Sequence, residues 1–198
     1  MSRYSNLDIV GILEEHEAIL NGHFQLPSGF HSQSYVQTSL VMQYPHIAQQ
    51  VAKAMAARFP QDIDVVLAPS AATSVIGQEV ARAKKARAIY AERQNGVMML
   101  KRGFAVKEGE RILIVDDVIT SGNQANEAAV LLTRLGARVI GVTAIVDRST
   151  GPLPLTVPAR SLVTYPLQCF TPDKCPLCAQ GVPLTIPGSP LKPHLGDK

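Results

Sequence analysis

The sequence predicts an α/β fold with a mainly parallel central sheet flanked by helices. Short continuous apolar runs at 65–68 and 112–115 have the pattern of strands buried on both faces of a sheet, and 139–146 is a further strand. Segments with the 3.6-residue apolar spacing of helices lie between them, and strands that alternate with helices pair in parallel. A chain of 198 residues suits one compact domain with a small appendage.

In chain order, Ile9, Val10, Ile12, Leu13, Ile19 and Leu20 fall on one helical stripe. Ser5 or Asn6 can cap this first helix, and Asn21-Gly22 can end it. Residues 22–37, rich in Gly, Ser and aromatics, read as extended chain with turns. A second helix begins near Pro45, whose missing N–H costs nothing in a first turn, buries Ile47, Val51, Met55 and Phe59, and stops at Pro60. Strand 65–68 leads through the small-residue loop 69–74 into a helix carrying Val75, Ile76, Val80 and Ala83. Asn95-Gly96 is a turn between two extended runs, so 88–104 forms a hairpin. Strand 112–115 is followed by a loop and a helix over 124–135, with Gly136 after it, and 139–146 is the last clear strand. Ten of the 14 prolines lie in the last 48 residues, so after Gly151 the chain forms a strand or two near Leu162-Val163-Thr164-Tyr165 and then becomes irregular. The expected division is an N-terminal helix and extended segment (1–40), a core (41–165) and a Pro-rich tail (166–198).

Composition excludes several function classes. The apolar fraction of 46% suits a soluble protein with a real core. A net charge of +3, dispersed along the chain, does not argue for nucleic acid. No stretch approaches the roughly 20 apolar residues that cross a bilayer, and the first eight residues lack the apolar core of a signal peptide. Three cysteines cannot close a disulfide framework, so a cytoplasmic location is expected.

The most informative stretch runs Ile112-Leu113-Ile114-Val115-Asp116-Asp117-Val118-Ile119-Thr120-Ser121-Gly122-Asn123-Gln124. A buried strand carries two carboxylates to its C-terminal end, where open α/β sheets place ligands. Hydroxyls and a glycine follow and lead into a helix whose first N–H groups favour an anion. Carboxylates for sugar hydroxyls beside a phosphate cradle suit a ribose 5-phosphate. The plainer reading is an acidic pair that caps the next helix. No G-x-x-x-x-G-K-[ST] or G-x-G-x-x-G occurs, which counts against P-loop and dinucleotide folds.

This stretch resembles the phosphoribosyl-pyrophosphate signature of the type I phosphoribosyltransferases. Within that family the chain is similar to the orotate phosphoribosyltransferases over nearly its whole length. Gly22-His23-Phe24 to Ser28-Gly29 and Ser34-Tyr35 resembles the hood over the base; Val146-Asp147-Arg148 resembles the motif whose arginine grips the orotate carboxylate. Cys175-Pro176-Leu177-Cys178 with Pro187-Gly188-Ser189 resembles the tail of one bacterial branch.

The resemblance implies a type I phosphoribosyltransferase fold with a small hood, and a magnesium-dependent transfer of phosphoribose from 5-phosphoribosyl 1-pyrophosphate (PRPP) to orotate in a homodimer. By position, Asp116 and Asp117 would hold the ribose hydroxyls. Thr120, Ser121, Gly122, Asn123 and Gln124, after Val118 and Ile119, would wrap the 5′-phosphate. Thr120 and Arg148 would meet orotate, and Ser70, Ala71, Ala72 and Thr73 would receive pyrophosphate, with Arg93 close by. Lys101 and Arg102 are read either as cations near the leaving group or as a solvated hairpin face, and Arg148 has the alternative of a structural ion pair with Asp147 or another carboxylate. The chain departs from the family pattern at Pro27, where the hood often has lysine, and in the loop Ser70-Ala71-Ala72-Thr73-Ser74, which has neither glycine nor lysine. A short hairpin also stands in place of a long mobile loop. Magnesium would be bound mostly through substrate, so no directly ligated metal is expected. Cys175-x-x-Cys178 with Cys169 offers three thiols where structural zinc needs four ligands; His194 is a weak fourth, and His16, His23, His31 and His46 have no metal spacing. The expectation there is a tight turn with buried thiols.

Overall fold

The computed structural model describes residues 7–26 and 28–187, in two compact units. Among the described residues the larger comprises 7–18 and 38–166, the smaller 19–26, 28–37 and 167–187. Ser5, Asn6, Pro27, Gly188, Ser189 and His194 lie outside the described residues.

The larger unit opens with helix α1 (Ile9–Glu15), capped by Asp8, whose carboxylate accepts from the Gly11 N–H at 2.9 Å. α1 is shorter than the apolar stripe predicts. Glu17 adopts a left-handed φ of 51°, and the Ala18 N–H turns back to the Leu13 carbonyl at 2.7 Å. Ile19 and Leu20 therefore leave the helix and pair across a hairpin with Val36 and Tyr35.

After the short helix α2 (Ser39–Met42) and helix α3 (Pro45–Ala57), the main sheet is built from β3 (Val65–Ala68), β4 (Arg87–Gln94), β5 (Val97–Leu100), β6 (Arg111–Ile119), β7 (Arg138–Asp147) and β8 (Ala159–Thr164). The strand order is β5-β4-β3-β6-β7-β8, parallel throughout except for the β4–β5 hairpin. Helices α4 (Ser74–Lys84) and α5 (Asn123–Arg134) follow β3 and β6. Every residue of β3 and Ile112 through Val115 of β6 are buried, as expected for central strands covered on both faces. Val65, Leu67, Ile112 and Ile114 pack with Ala125, Ala128, Ala129 and Leu132 of α5 on one face. On the other, Gly77 of α4 presses against Ala68, where an added Cβ would sit 3.1 Å from the alanine methyl. The Asn95-Gly96 turn has positive φ at both residues (51° and 81°), as a tight hairpin requires.

This order places the ligand site. The chain leaves β3 through α4 toward β4 on one side, and β6, on the other side of β3, sends its outgoing chain through α5 to β7. The loops after β3 and β6 diverge at this topological switch point, where open α/β sheets leave a crevice.

The smaller unit is a three-stranded antiparallel sheet, β1 (Ile19–Gln25), β2 (His31–Val36) and β9 (Cys169–Phe170), with the short helix α6 (Pro176–Ala179). Segment 19–37 thus groups with the tail rather than with the helix before it. Thr185 bonds β1 in both directions, Gln25 N–H to Thr185 carbonyl at 2.9 Å and Thr185 N–H to His23 carbonyl at 2.8 Å. Among the described residues no helix is long and apolar enough to cross a membrane.

Candidate active site

Strand β6 carries Asp116 and Asp117 past the buried core to its C-terminal end. Asp116 is buried and accepts the Asp117 N–H at 3.0 Å. Burial, and then the neighbouring carboxylate, push its carboxyl up to about 8. Asp117 is held from two sides, by its neighbour's Val118 N–H at 2.8 Å and by the Thr38 hydroxyl, which donates at 2.5 Å. Thr38 is buried and lies 79 positions away; sequence reasoning missed it because nothing local marks it.

Thr120 and Ser121 follow as exposed residues, and Gly122 starts α5 with a φ of 76°. A side chain there would be strained, and its Cβ would meet Leu153, Pro154 and Leu155 at 3.4–3.6 Å. The loop thus exposes two hydroxyls beside the first N–H groups of a 12-residue helix, a geometry suited to a phosphate.

The loop after β3 needs no glycine. Ala71, Ala72 and Thr73 form a single 3-10 turn that runs into α4, and Ser70 has an extended φ of −150°. Thr73 donates its hydroxyl to the Ser70 carbonyl at 3.0 Å, and Ser74 to Ala71 at 2.6 Å. Serine and alanine adopt these angles freely, so the absence of glycine is no obstacle to the turn.

An open cleft of about 310 Å³ is lined by Pro69, Ser70, Ala71, Ala91, Glu92, Arg93 and Gln124, while Asp116, Asp117, Thr120 to Asn123 and Arg148 are not among its lining residues. Three segments singled out from the sequence therefore meet there. Arg93 is held by the Glu127 carboxylate of α5 through both terminal nitrogens, and also donates to the Gly96 carbonyl at 2.7 Å. Lys101 and Arg102 are not among the lining residues; Arg102, at the turn after β5, pairs with Glu92 at 2.8 Å.

Arg148 follows β7 and is buried. Its backbone N–H donates to the Ile119 carbonyl at 2.8 Å, which fixes the arginine beside the start of the Thr120 loop. The Asp147 carboxylate accepts from the Ser149 N–H at 2.8 Å.

A parallel sheet with paired carboxylates, a glycine-started helix and a second anion loop at its switch point defines a phosphoribosyl-binding protein. The sequence accordingly matches the phosphoribosyl transferase domain family over residues 41–168. It is 43% identical to an orotate phosphoribosyltransferase of Pelotomaculum thermopropionicum, over 92% of this chain and 96% of that one. It is 42% identical to the Thermotoga maritima orotate phosphoribosyltransferase, over 90% and 96%. The orotate phosphoribosyltransferase of Aeropyrum pernix shares the fold, with a TM-score of 0.67 at 20% identity over 79% of this chain and 93% of that one. The chain belongs to the phosphoribosyltransferase family, within its orotate phosphoribosyltransferase group.

The remaining titratable cluster is in the smaller unit. Cys175 and Cys178 do not stand with Cys169, as the sequence spacing suggests, but with His23 and His31 of the β1–β2 hairpin. The count of three local thiols missed these histidines, because chain folding supplies them from about 150 positions away.

Proposed function

We infer that the protein is an enzyme that transfers the phosphoribosyl group of PRPP to orotate, giving orotidine 5′-monophosphate and pyrophosphate. The geometry that carries this reading is the buried Arg148, set beside the Thr120 loop by the Arg148–Ile119 backbone bond. An arginine at that position of the chain suits a base bearing a carboxylate, and orotate bears one where purines do not.

In the reaction the orotate ring nitrogen gives up its proton, taken by the departing pyrophosphate or by solvent, and bonds to C1 of the ribose as the C1–O bond to pyrophosphate breaks, the electron pair leaving with pyrophosphate. No protein nucleophile is needed; the chain's task is to position the partners and offset charge. Asp116 and Asp117 accept hydrogen bonds from the ribose hydroxyls, with Thr38 aiming the Asp117 carboxylate. Thr120 to Gln124 donate to the 5′-phosphate. Ser70 to Thr73 offer backbone N–H groups to pyrophosphate. Arg93 is within the same cleft, and its exposed pairing with Glu127 is weak enough for a pyrophosphate oxygen to compete.

The two adjacent acidic side chains at the end of β6 offer oxygen atoms of the kind magnesium takes, directly or through water. Held mostly through substrate and water, the ion would neutralise the leaving group. A homodimer is proposed on the family resemblance alone, with sedimentation velocity as its test. A cytoplasmic location is proposed because the cysteines are free thiols.

Another base, such as a purine, is the second reading. The test is kcat/KM for orotate, uracil and hypoxanthine with wild type and Arg148→Ala. Orotate should be preferred and should lose about 2–5 kcal/mol of transition-state binding in the variant, with uracil losing little. Preference for hypoxanthine, or a variant that handles orotate normally, refutes the assignment.

A further inference from the structure

We propose that His23, His31, Cys175 and Cys178 form a structural zinc site that fastens the C-terminal segment to the β1–β2 hairpin. Their donor atoms lie within 4.8 Å of one another. His23 Nε2 is 3.0 Å from His31 Nδ1, 3.4 Å from Cys175 Sγ and 3.7 Å from Cys178 Sγ, while Cys178 Sγ is 3.3 Å from His31 Nδ1. Tetrahedral zinc with ordinary bond lengths sets ligand atoms about 3.3 Å apart for two nitrogens, about 3.6 Å for nitrogen and sulfur and about 3.8 Å for two sulfurs. These four separations lie within a few tenths of an ångström of those edges, and the widest of the remaining pairs, within 4.8 Å, would close by about 1 Å around a bound ion.

Hydrogen bonding alone does not account for the cluster. His23 Nδ1 is 2.8 Å from the Val182 carbonyl, which can only accept, so the proton is on Nδ1 and Nε2 presents a lone pair. Three polar atoms crowd that one lone pair, which accepts one good hydrogen bond. A cation at the centre satisfies all four donors at once. The Val182 contact is then the outer-shell bond that orients a metal-bound histidine.

The fold is shaped for this arrangement. Between Asn21 and Phe24 the β1–β2 register slips, because β1 carries an extra residue at Gly22-His23. Such a bulge re-aims a side chain, and here His23 joins His31 in the interior. His23, His31 and Cys175 are buried, and Cys178 is exposed, which leaves a path for metal entry. The smaller unit also has need of a staple: its buried apolar side chains among the described residues are Phe24, Leu26, Val36, Leu167 and Cys175, and β9 pairs through two residues. Cores this small are commonly completed by a metal.

The test uses the full chain, expressed in zinc-replete medium and purified without chelator or an immobilised-metal column. Plasma mass spectrometry should find about one zinc per chain and negligible iron. The cobalt-substituted protein should show the ligand-field and thiolate charge-transfer bands of a tetrahedral site. Cys178→Ser and His31→Gln should each lower zinc affinity by more than about tenfold. Both should speed amide exchange in 19–37 and 167–187 while β6 and β7 stay protected. Cys169→Ser, outside the cluster, should keep its zinc. Wild type that holds no zinc after reconstitution, that holds iron instead, or that contains a Cys175–Cys178 disulfide would overturn the site. So would ligand variants that retain zinc as wild type does. The wild-type metal content and cobalt spectrum decide the matter even if a variant misfolds, and neither depends on the orotate reaction.

Discussion

Asp116→Asn should make the ligand-free protein more stable at alkaline pH and worse at its work. The carboxyl of Asp116 is pushed up to about 8 by burial and by Asp117, against 3.8 in an unfolded chain. Between those values the folded chain holds a proton that the unfolded chain has released, so stability falls as pH rises across that window and levels above it. Each pH unit inside the window is worth about 1.4 kcal/mol. From about pH 6 to about pH 8 the wild type should therefore lose roughly 2–3 kcal/mol from this one group. Asparagine keeps the shape and accepts the same Asp117 N–H, but has no proton to lose and no such slope. For a chain of this size, 1 kcal/mol moves Tm by about 2–4 °C, so the gap between variant and wild type should widen by roughly 4–12 °C over that interval. The assay is thermal unfolding across pH in magnesium-free buffer, with PRPP binding by calorimetry in parallel. Identical pH dependence in the two proteins would refute the claim that Asp116 is a strained, buried carboxyl. Tight PRPP binding by the variant would refute its part in the sugar site.

Asp117→Asn should weaken PRPP binding by about 1.5–3 kcal/mol, the worth of an anionic acceptor, without altering the fold. Thr38→Val, which removes the 2.5 Å bond that aims Asp117, should weaken binding in the same direction by less. Calorimetry that gives either variant wild-type affinity would remove that residue from the site. Gly141→Ala should cost at least about 1–3 kcal/mol of stability by overpacking. Its Cβ would lie 2.3 Å from Phe59 Cε1 and 2.7 Å from the Pro158 carbonyl, whose backbone cannot swing aside. A urea midpoint equal to wild type would contradict that packing.

Local chemistry made much of this protein legible in one dimension. The buried strands 65–68 and 112–115, the Asn95-Gly96 hairpin and the Asp-Asp to Thr-Ser-Gly segment depend on neighbours within a few positions, where steric preference and periodicity act directly. The loop from Asp116 to Gln124 is such a case, since one strand end and one helix start build it. The helix expected through Leu20 instead ended at Glu15, with a left-handed turn at Glu17, because pairing of Ile19 and Leu20 with Val36 and Tyr35 outweighs a local stripe. Thr38 beneath Asp117, Glu127 on Arg93, and His23 and His31 beside Cys175 and Cys178 were each decided by tertiary structure. These contacts join residues far apart in the chain. No local preference encodes them, and only the closure of the sheet and of the β1–β2 hairpin brings their polar atoms within bonding distance.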